Sequence, residues 1–410
     1  MNIVVQKFGG TSVASLERMQ QVMKKVLAAR AHGNKLVVVL SAMSGETNKL
    51  IALANQFSEE PDPAELDVLV TTGEQISVAL FAMLLKDAGV KARSLLGYQV
   101  PIETDSDFCR ARIVNIDTDR IRAMLEEYDV LVMAGFQGCD CHGRITTLGR
   151  GGSDTSGVAI AAALKADTCE IYTDVDGVYT TDPNICSQAR KLSRVTYDEM
   201  LEMASMGAKV LQIRSVEFAK KYNVPVHVRS TFSDEPGTMV IQEDKSMEAV
   251  LVSGIAYDKD QARVTVYDVI DQPGVAAAIF GPLAEDGILV DMIIQNTSRE
   301  GRTDMTFTIP RADLKKTMRI LEGTKVQIGA KDIQYDTGVC KVSVIGVGMR
   351  NHSGVAAKAF AALSKENVNI LMISTSEIKI TCLIEEKYMA LAVHTLHEAF
   401  ELGKNGTNAC

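Results

Sequence analysis

Two stretches of the sequence carry the residue types that phosphate or carboxylate chemistry needs. The first is Lys7-Phe8-Gly9-Gly10-Thr11-Ser12, which follows the apolar run Ile3–Val5 and precedes an amphipathic helix opening at Leu16. Its Gly pair therefore sits on a strand-to-helix turn. There, backbone N–H groups point outward, glycine lets an anion approach the main chain, and the helix dipole favours negative charge. Lys7 adds a full positive charge. The spacing is neither that of a P-loop nor that of the three-glycine dinucleotide fingerprint, so a purely structural tight turn explains these residues equally well. The second stretch runs from Thr146 to Ser156 and contains Arg150-Gly151-Gly152-Ser153-Asp154. The guanidinium can grip a carboxylate or phosphate through two parallel hydrogen bonds, and Asp154 can orient a lysine or a cation. A Gly-rich connector with a solvated Arg and Asp is the plain alternative.

The elements that must position these residues alternate over residues 1 to about 230. Strands are expected at Lys35–Leu40, Val130–Ala134 and Glu170–Thr173. Helical segments are expected over Glu65–Lys86, interrupted at Thr71-Thr72-Gly73-Glu74, and over Gly157–Lys165. Such alternation implies a mostly parallel sheet covered by helices on both faces. Ligands then collect beyond the carboxyl ends of the strands. The polar clusters all follow strands: the Gly pair, Ser41 to Asn48, Gly135 to Gly138, Thr146 to Ser156, and Asp174 to Pro183. They converge on one edge.

The chain has 410 residues, length for two to three domains, and a net charge of −9 with no basic cluster. Nucleic acid and anionic membrane are therefore not expected partners. No signal pattern opens the sequence and no uninterrupted apolar run nears the ~20 residues of a membrane span, so a cytoplasmic location is expected. The eight cysteines are scattered and read as reduced thiols. Cys139-Asp140-Cys141-His142, between Gly138 and Gly143, reads as a hairpin tip rather than a metal site, because no second Cys/His pair stands at a matching spacing. His394 and His397 read as part of a helix face.

Six motifs in order carry a resemblance: Lys7 to Val13; Ser41-Ala42-Met43-Ser44-Gly45 with Thr47-Asn48; Gly73-Glu74; Gly135 to Gly138; Thr146 to Asp154; and Tyr172 to Pro183. Together they resemble the aspartate kinases, over essentially the whole chain. The resemblance implies transfer of the ATP γ-phosphoryl, with Mg²⁺ carried on the nucleotide, to the β-carboxylate of L-aspartate, the first step toward lysine, threonine and methionine. It implies a catalytic set of Lys7, Gly9, Gly10 and Asp154. Lys7, Phe8, Gly9, Gly10, Ser41, Thr173, Asp174, Tyr179, Asp182 and Lys209 would bind ATP. Thr47, Glu74, Arg150, Gly151, Gly152 and Ser153 would hold aspartate. No dedicated metal ligand is implied. Another amino acid kinase of the same fold, or a silent amino-acid sensor, are the alternatives. The retained Lys7, Arg150 and Asp154 argue against a sensor.

Residues 1–240 are expected to form the kinase domain and 241–410 a regulatory region, with the turn-rich Ser230 to Gly237 near the boundary. The second region repeats itself in two βαββαβ units, about 262–337 and 338–402. The second unit lacks its last strand, and a spare strand at 249–256 would complete it, so that one repeat is inserted in the other. This resembles the paired ACT domains of the family, which take amino-acid effectors. Asp271, Gly274, Val275, Gln295 and Asn296 in the first unit, and Ser353, Gly354, Val355, Asn369 and Ile370 in the second, are the implied effector residues. Lysine, threonine or both are the implied ligands. At least a homodimer joined through this region is expected, with a shorter regulatory subunit starting at Met247. No homoserine dehydrogenase domain follows the repeats, so a monofunctional enzyme is expected.

Overall fold

A computed structural model of the chain describes residues 2–207, 210–244, 251–296 and 301–404. Lys209, Met247 and the first two residues of the expected strand 249–256 lie outside the described residues. Two compact units are present. The first comprises Met1–Val178, Lys191–Ala204 and Lys209–Asp244; the second comprises Tyr179–Arg190, Ser205–Ala208 and Lys245–Cys410.

In the first unit the strands are β1 (Ile3–Phe8), β2 (Lys35–Leu40), β3 (Ala92–Leu95), β4 (Ile102–Thr104), β5 (Ile113–Ile116) and β6 (Val130–Ala134). They continue with β7 (Gln137–Cys139), β8 (Ile145–Thr147), β9 (Thr168–Thr173), β10 (Arg194–Thr196), β11 (Val226–Ser230) and β12 (Thr238–Ile241). Eight form one sheet in the order β10-β12-β11-β9-β1-β2-β6-β3, parallel except where β12 runs against β11. Continuous apolar runs such as Leu36–Leu40 and Val130–Ala134 are buried along their whole length, as strands covered on both faces must be. The remaining four make a small sheet in the order β5-β4-β7-β8.

Eight helices are described here: α1 (Leu16–Ala31), α2 (Glu46–Phe57), α3 (Pro63–Val70), α4 (Thr72–Asp87), α5 (Thr118–Glu127), α6 (Gly152–Leu164), α7 (Tyr197–Ser205) and α8 (Ile213–Tyr222). Ser15, Asp62 and Asp117 cap α1, α3 and α5 through their side chains. Val22 and Val26 of α1 and Val78, Phe81 and Leu85 of α4 pack on Phe8, Leu36, Val38 and Val132 of the sheet. Each such burial contributes roughly 1.5–3 kcal/mol. The stretch Pro63–Asp87 is long and apolar enough to cross a membrane, yet it is two helices broken at Thr71, with Asp67 and Glu74 buried inside the unit.

Two helices differ from the sequence expectation. Glu46–Phe57 is helical although the reading placed a helix only from Glu65. None of its residues is buried, so it has no core-facing apolar stripe to betray it. The alanine-rich helix begins at Gly152 rather than Gly157, because Gly151 takes up a left-handed conformation (φ +69°) that starts the helix directly. Gly152, Ser153 and Asp154 thus belong to its first turn rather than to a loop.

The second unit is built on β13 (Gly254–Ile270), β14 (Ile293–Gln295), β15 (Arg302–Pro310), β16 (Asp332–Ile345), β17 (Ile370–Thr375) and β18 (Lys379–Glu385). Its helices are α9 (Val275–Glu285), α10 (Leu314–Thr324), α11 (Val355–Lys365) and α12 (Met389–Ala399). The sheet order is β14-β15-β13-β16-β18-β17. Gly254–Asp258 pair with Lys341–Ile345, whereas Arg263–Tyr267 pair with Asp332–Asp336. The second repeat therefore takes its last strand from ahead of the first repeat, and each repeat's last strand runs on into the other's first strand. The cores agree: Val252 and Ile255 pack with α11 and α12, and Val264 and Val266 with α9 and α10. The sequence reading divided β13 and β16 into separate strands. The polar residues Asp258-Lys259-Asp260 and Asp336-Thr337-Gly338 interrupt the apolar pattern while the backbone ladder continues past them with shifted register. The strand expected over Ile288–Gln295 is confined to Ile293–Gln295.

Segment Tyr179–Arg190 clusters with this unit. The Thr180 carbonyl accepts from Ile255 N (2.7 Å), its hydroxyl meets His397 Nε2 (3.0 Å), and Tyr257 donates its hydroxyl to Asp182 (2.8 Å). Burial pushes the His397 imidazole pKa down, in keeping with a packed helix face.

The exchanged strand leads to a test. A fragment of residues 338–410 lacks the closing strand Gly254–Asp258 and the core residues Val252 and Ile255 and should show no dispersed amide spectrum, whereas residues 251–410 should. A folded 338–410 fragment would mean that the exchange is dispensable.

Candidate active site

The turns after β9, β1 and β2, which are neighbours in the sheet, are tied to one another at their carboxyl ends. Gly9 N donates to Tyr172 O (3.3 Å), Ser41 N to Phe8 O (3.2 Å) and Ser44 N to Gly10 O (3.2 Å). A Cβ on Gly10 would stand 2.7 Å from the Ala42 carbonyl oxygen, so only glycine lets these two turns close. Phe8 and Tyr172 stack beneath, with ring centroids 4.6 Å apart. The Gly9 amide takes part in holding the turn.

Lys7, on β1, forms an ion pair with Asp154 in the first turn of α6. Both residues are 8% exposed. Isolated burial of either charge would be costly, and the pairing offsets that cost. Ser153 packs on Gly135, the residue after β6, and Ser156 Oγ accepts from Phe136 N (3.0 Å). The first turn of α6 is thereby docked on the end of β6, whose own extension is held by Gly135 N donating to Leu40 O (2.9 Å).

Glu74 lies in the first turn of α4, 3% exposed, and accepts from Ala42 N (3.0 Å) through one carboxylate oxygen. The other oxygen has no partner among the described residues. Burial pushes its carboxyl pKa up to about 7, against the opposing pull of the Ala42 amide. Gly10, Gly73 and Glu74 all meet at Ala42, a residue the sequence reading passed over because alanine carries no chemistry. Thr47 is half-buried in the first turn of α2. Arg150 is exposed and has no ion pair among the described residues. An exposed guanidinium with no ion pair and a buried carboxylate oxygen with no partner among the described residues are the charge types that suit a ligand bearing both a carboxylate and an ammonium.

Of the remaining nucleotide-side residues, Ser41 follows β2, and Thr173 Oγ1 donates to Asp174 (3.0 Å) at the end of β9. Tyr179 and Asp182 cluster with the second unit, where Asp182 is engaged by Tyr257. The Cys139 to His142 stretch forms the β7–β8 hairpin tip, with Asp140 accepting from His142 N and Arg144 N at 2.9 Å each. Among the described residues no cluster of His, Cys, Asp or Glu is arranged to hold a metal ion.

In the second unit, Gly274 and Gly354 occupy equivalent left-handed positions (φ +96° and +98°) at the N-termini of α9 and α11. Asp271 N donates to Gly301 O (2.9 Å), Val275 and Val355 are buried, and Ser353 is exposed. Gln295 ends β14, followed by Asn296; Asn369 precedes β17, which Ile370 begins.

Comparison with known proteins agrees with this architecture. The amino acid kinase family matches residues 2–230, and the ACT domain matches residues 267–324 and 342–400. An aspartate kinase of Pseudomonas putida is 58% identical over 403 residues, covering 98% of both chains. Aspartokinase III of E. coli, solved with aspartate and ADP in its R-state, superposes with a TM-score of 0.81 at 29% identity, covering 97% of this chain and 99% of its own. The same E. coli enzyme solved with lysine and aspartate in its T-state gives a TM-score of 0.77, again at 29% identity, with the same coverage. The chain belongs to the aspartate kinases, phosphotransferases of the amino acid kinase family whose acceptor is a carboxyl group and whose kinase domain is followed by ACT domains.

Proposed function

We propose that phosphoryl transfer from ATP to the aspartate β-carboxylate takes place at the edge formed by the β1, β2 and β9 turns, with Lys7 as the charge donor. The observation that carries this reading is the buried Lys7–Asp154 pair at that edge. The reaction brings two anions together, so the site must neutralise charge spreading over the transferred group and align attacker with leaving group. The acceptor carboxylate is already ionised at neutral pH and needs no general base. Lys7 supplies the positive charge, Asp154 keeps the ammonium aimed, and Gly10 lets the phosphoryl approach the main chain. ATP lies along Ser41, Thr173 and Asp174 of the first unit, and Mg²⁺ enters on its oxygens. Aspartate is held by Thr47, Ser153 and Gly152, with its ammonium on Glu74 and a carboxylate on Arg150. We place the enzyme in the cytoplasm, where both substrates are held.

Regulation follows from the ACT repeats. An amino-acid effector would set its carboxylate on the N-terminus of α9 at Gly274-Val275, where backbone amides and the helix dipole favour an anion. Asp271, Gln295 and Asn296 would read the rest of the molecule. Lysine is the first candidate, supported by its presence in the E. coli T-state complex, and threonine the second. At least a dimer joined through the ACT region is proposed, together with a shorter regulatory chain begun at Met247. An effector shifts activity only by its difference in affinity between the two states of the enzyme.

Three measurements test these assignments. Lys7→Ala should lower turnover at least about a hundredfold, the scale of losing one preorganised charge donor, with a smaller change in aspartate KM. Turnover within twofold of wild type removes Lys7 from the mechanism. Glu74 yields a pH signature. Its free carboxyl titrates near 7, and only the ionised form pairs with an ammonium. Aspartate KM should therefore rise as pH falls through about 7 and level off above it, and binding near pH 6.5 should release a proton to buffer. Glu74→Gln should abolish both the slope and the proton release. For the effector site, calorimetric titration of the whole enzyme with lysine and with threonine should show one of them binding, and Asp271→Ala together with Gln295→Ala should weaken it at least about tenfold; retained affinity would move the effector elsewhere.

A further inference from the structure

Arg214, the second residue of α8, carries a half-buried guanidinium with no carboxylate partner among the described residues. It donates Nη1 to the Leu148 carbonyl (2.5 Å) and Nη2 to the Ala111 carbonyl (3.0 Å). Leu148 immediately precedes the Gly149-Arg150-Gly151 turn, and Ala111 is itself joined to the same hairpin by donating its amide to Thr147 O (2.8 Å). One planar group thus bridges two chain segments at the root of the turn that bears Arg150. The planar fork fixes the direction of both bonds, which a freely rotating ammonium does not.

The turn is held from two further directions. Asp67, fully buried on α3, accepts from Thr147 N (2.8 Å), Thr147 Oγ1 (2.6 Å) and Cys109 N (2.9 Å). Gln212, two residues before Arg214, lies across Gly151 so closely that a Cβ there would come within 1.8 Å of Gln212 Cγ. At the tip of this braced turn, Arg150 itself is exposed and unpaired. The bracing therefore serves a side chain that has nothing to hold within the described residues. Arg214 also places a second positive charge, without a carboxylate partner among the described residues, under the same turn, which favours an anion there.

We propose that Arg214 is a positioning residue for aspartate recognition. By holding the Ala111 and Leu148 carbonyls together it fixes the turn that aims Arg150, and its charge strengthens the anion site. The proposal rests on the reading that Arg150 grips a carboxylate of aspartate.

The test is a double-mutant cycle on the whole enzyme, with KM for aspartate, KM for ATP, kcat and the thermal unfolding midpoint measured for Arg214→Met, Arg214→Lys, Arg150→Lys and the Arg150→Lys/Arg214→Met pair. Arg214→Met should raise aspartate KM about tenfold, the scale of losing charge-assisted hydrogen bonds, while ATP KM stays within twofold and kcat changes less than KM. Arg214→Lys, which keeps the charge but replaces the planar fork with one ammonium nitrogen, should fall between and supplies the answer if the Met variant does not fold. In the Arg150→Lys background, Arg214→Met should add little. An unchanged aspartate KM in the Arg214 variants, beside a raised KM in Arg150→Lys, overturns the positioning role alone. So does an equal rise in both KM values, or full additivity of the two substitutions. An unchanged KM in Arg150→Lys removes the reading of Arg150, and the proposal with it.

Discussion

The buried Lys7–Asp154 ion pair is the constraint around which the catalytic unit is arranged. A lysine on a central strand of a parallel sheet is affordable only if an acid meets it, and that acid must come from an element outside the sheet. Helix α6 supplies it, but only because Gly151 turns the chain sharply enough for the helix to begin at Gly152. With that start, Asp154 falls in the first turn and Ser153 packs against Gly135. The same turn carries Arg150 outward. Charge neutralisation at the sheet and presentation of the guanidinium are thus consequences of one backbone conformation.

Around this pair the site is closed by main-chain contacts more than by side chains. The turns after three adjacent strands bond to each other through Tyr172, Phe8 and Gly10 carbonyls, and Ala42 is the point where Gly10, Gly73 and Glu74 meet. Such a lattice leaves few degrees of freedom, and the proposed phosphoryl transfer would need that: donors already in place before charge develops. Glu74 illustrates the cost. Its carboxylate is desolvated with one oxygen lacking a partner among the described residues, an arrangement that is unfavourable without a cation and favourable with one.

The regulatory unit solves a different problem, that of making two ferredoxin-like repeats into a single body. Two long strands, β13 and β16, each serve both repeats, so their cores share backbone. Local opening of one repeat strains the ladder of the other, a coupling that a pair of repeats joined end to end would not have.

Much of this could be read in the residues themselves. Apolar runs bounded by polar turns located the strands of the parallel sheet, and six motifs in order identified the family. Counting elements in the C-terminal half exposed a missing strand and a spare one, from which the exchange of strands followed. Side-chain chemistry is local and therefore partly legible: Lys7, Arg150 and Asp154 stand out by type beside their glycines, whereas Glu74 was marked only by the family resemblance. What only the tertiary structure decided is who meets whom. Helix α2 has no buried face and so no periodic signal; α6 starts early because of a single dihedral angle at Gly151; β13 and β16 run through polar residues because ladder hydrogen bonds do not depend on side-chain polarity. Asp67, an acid inside an apolar run, was a visible signal, since a charge there must find donors, yet those donors lie at residues 109 and 147. Arg214 offered no signal at all, because its partners are carbonyl oxygens, which every residue possesses and no sequence pattern distinguishes.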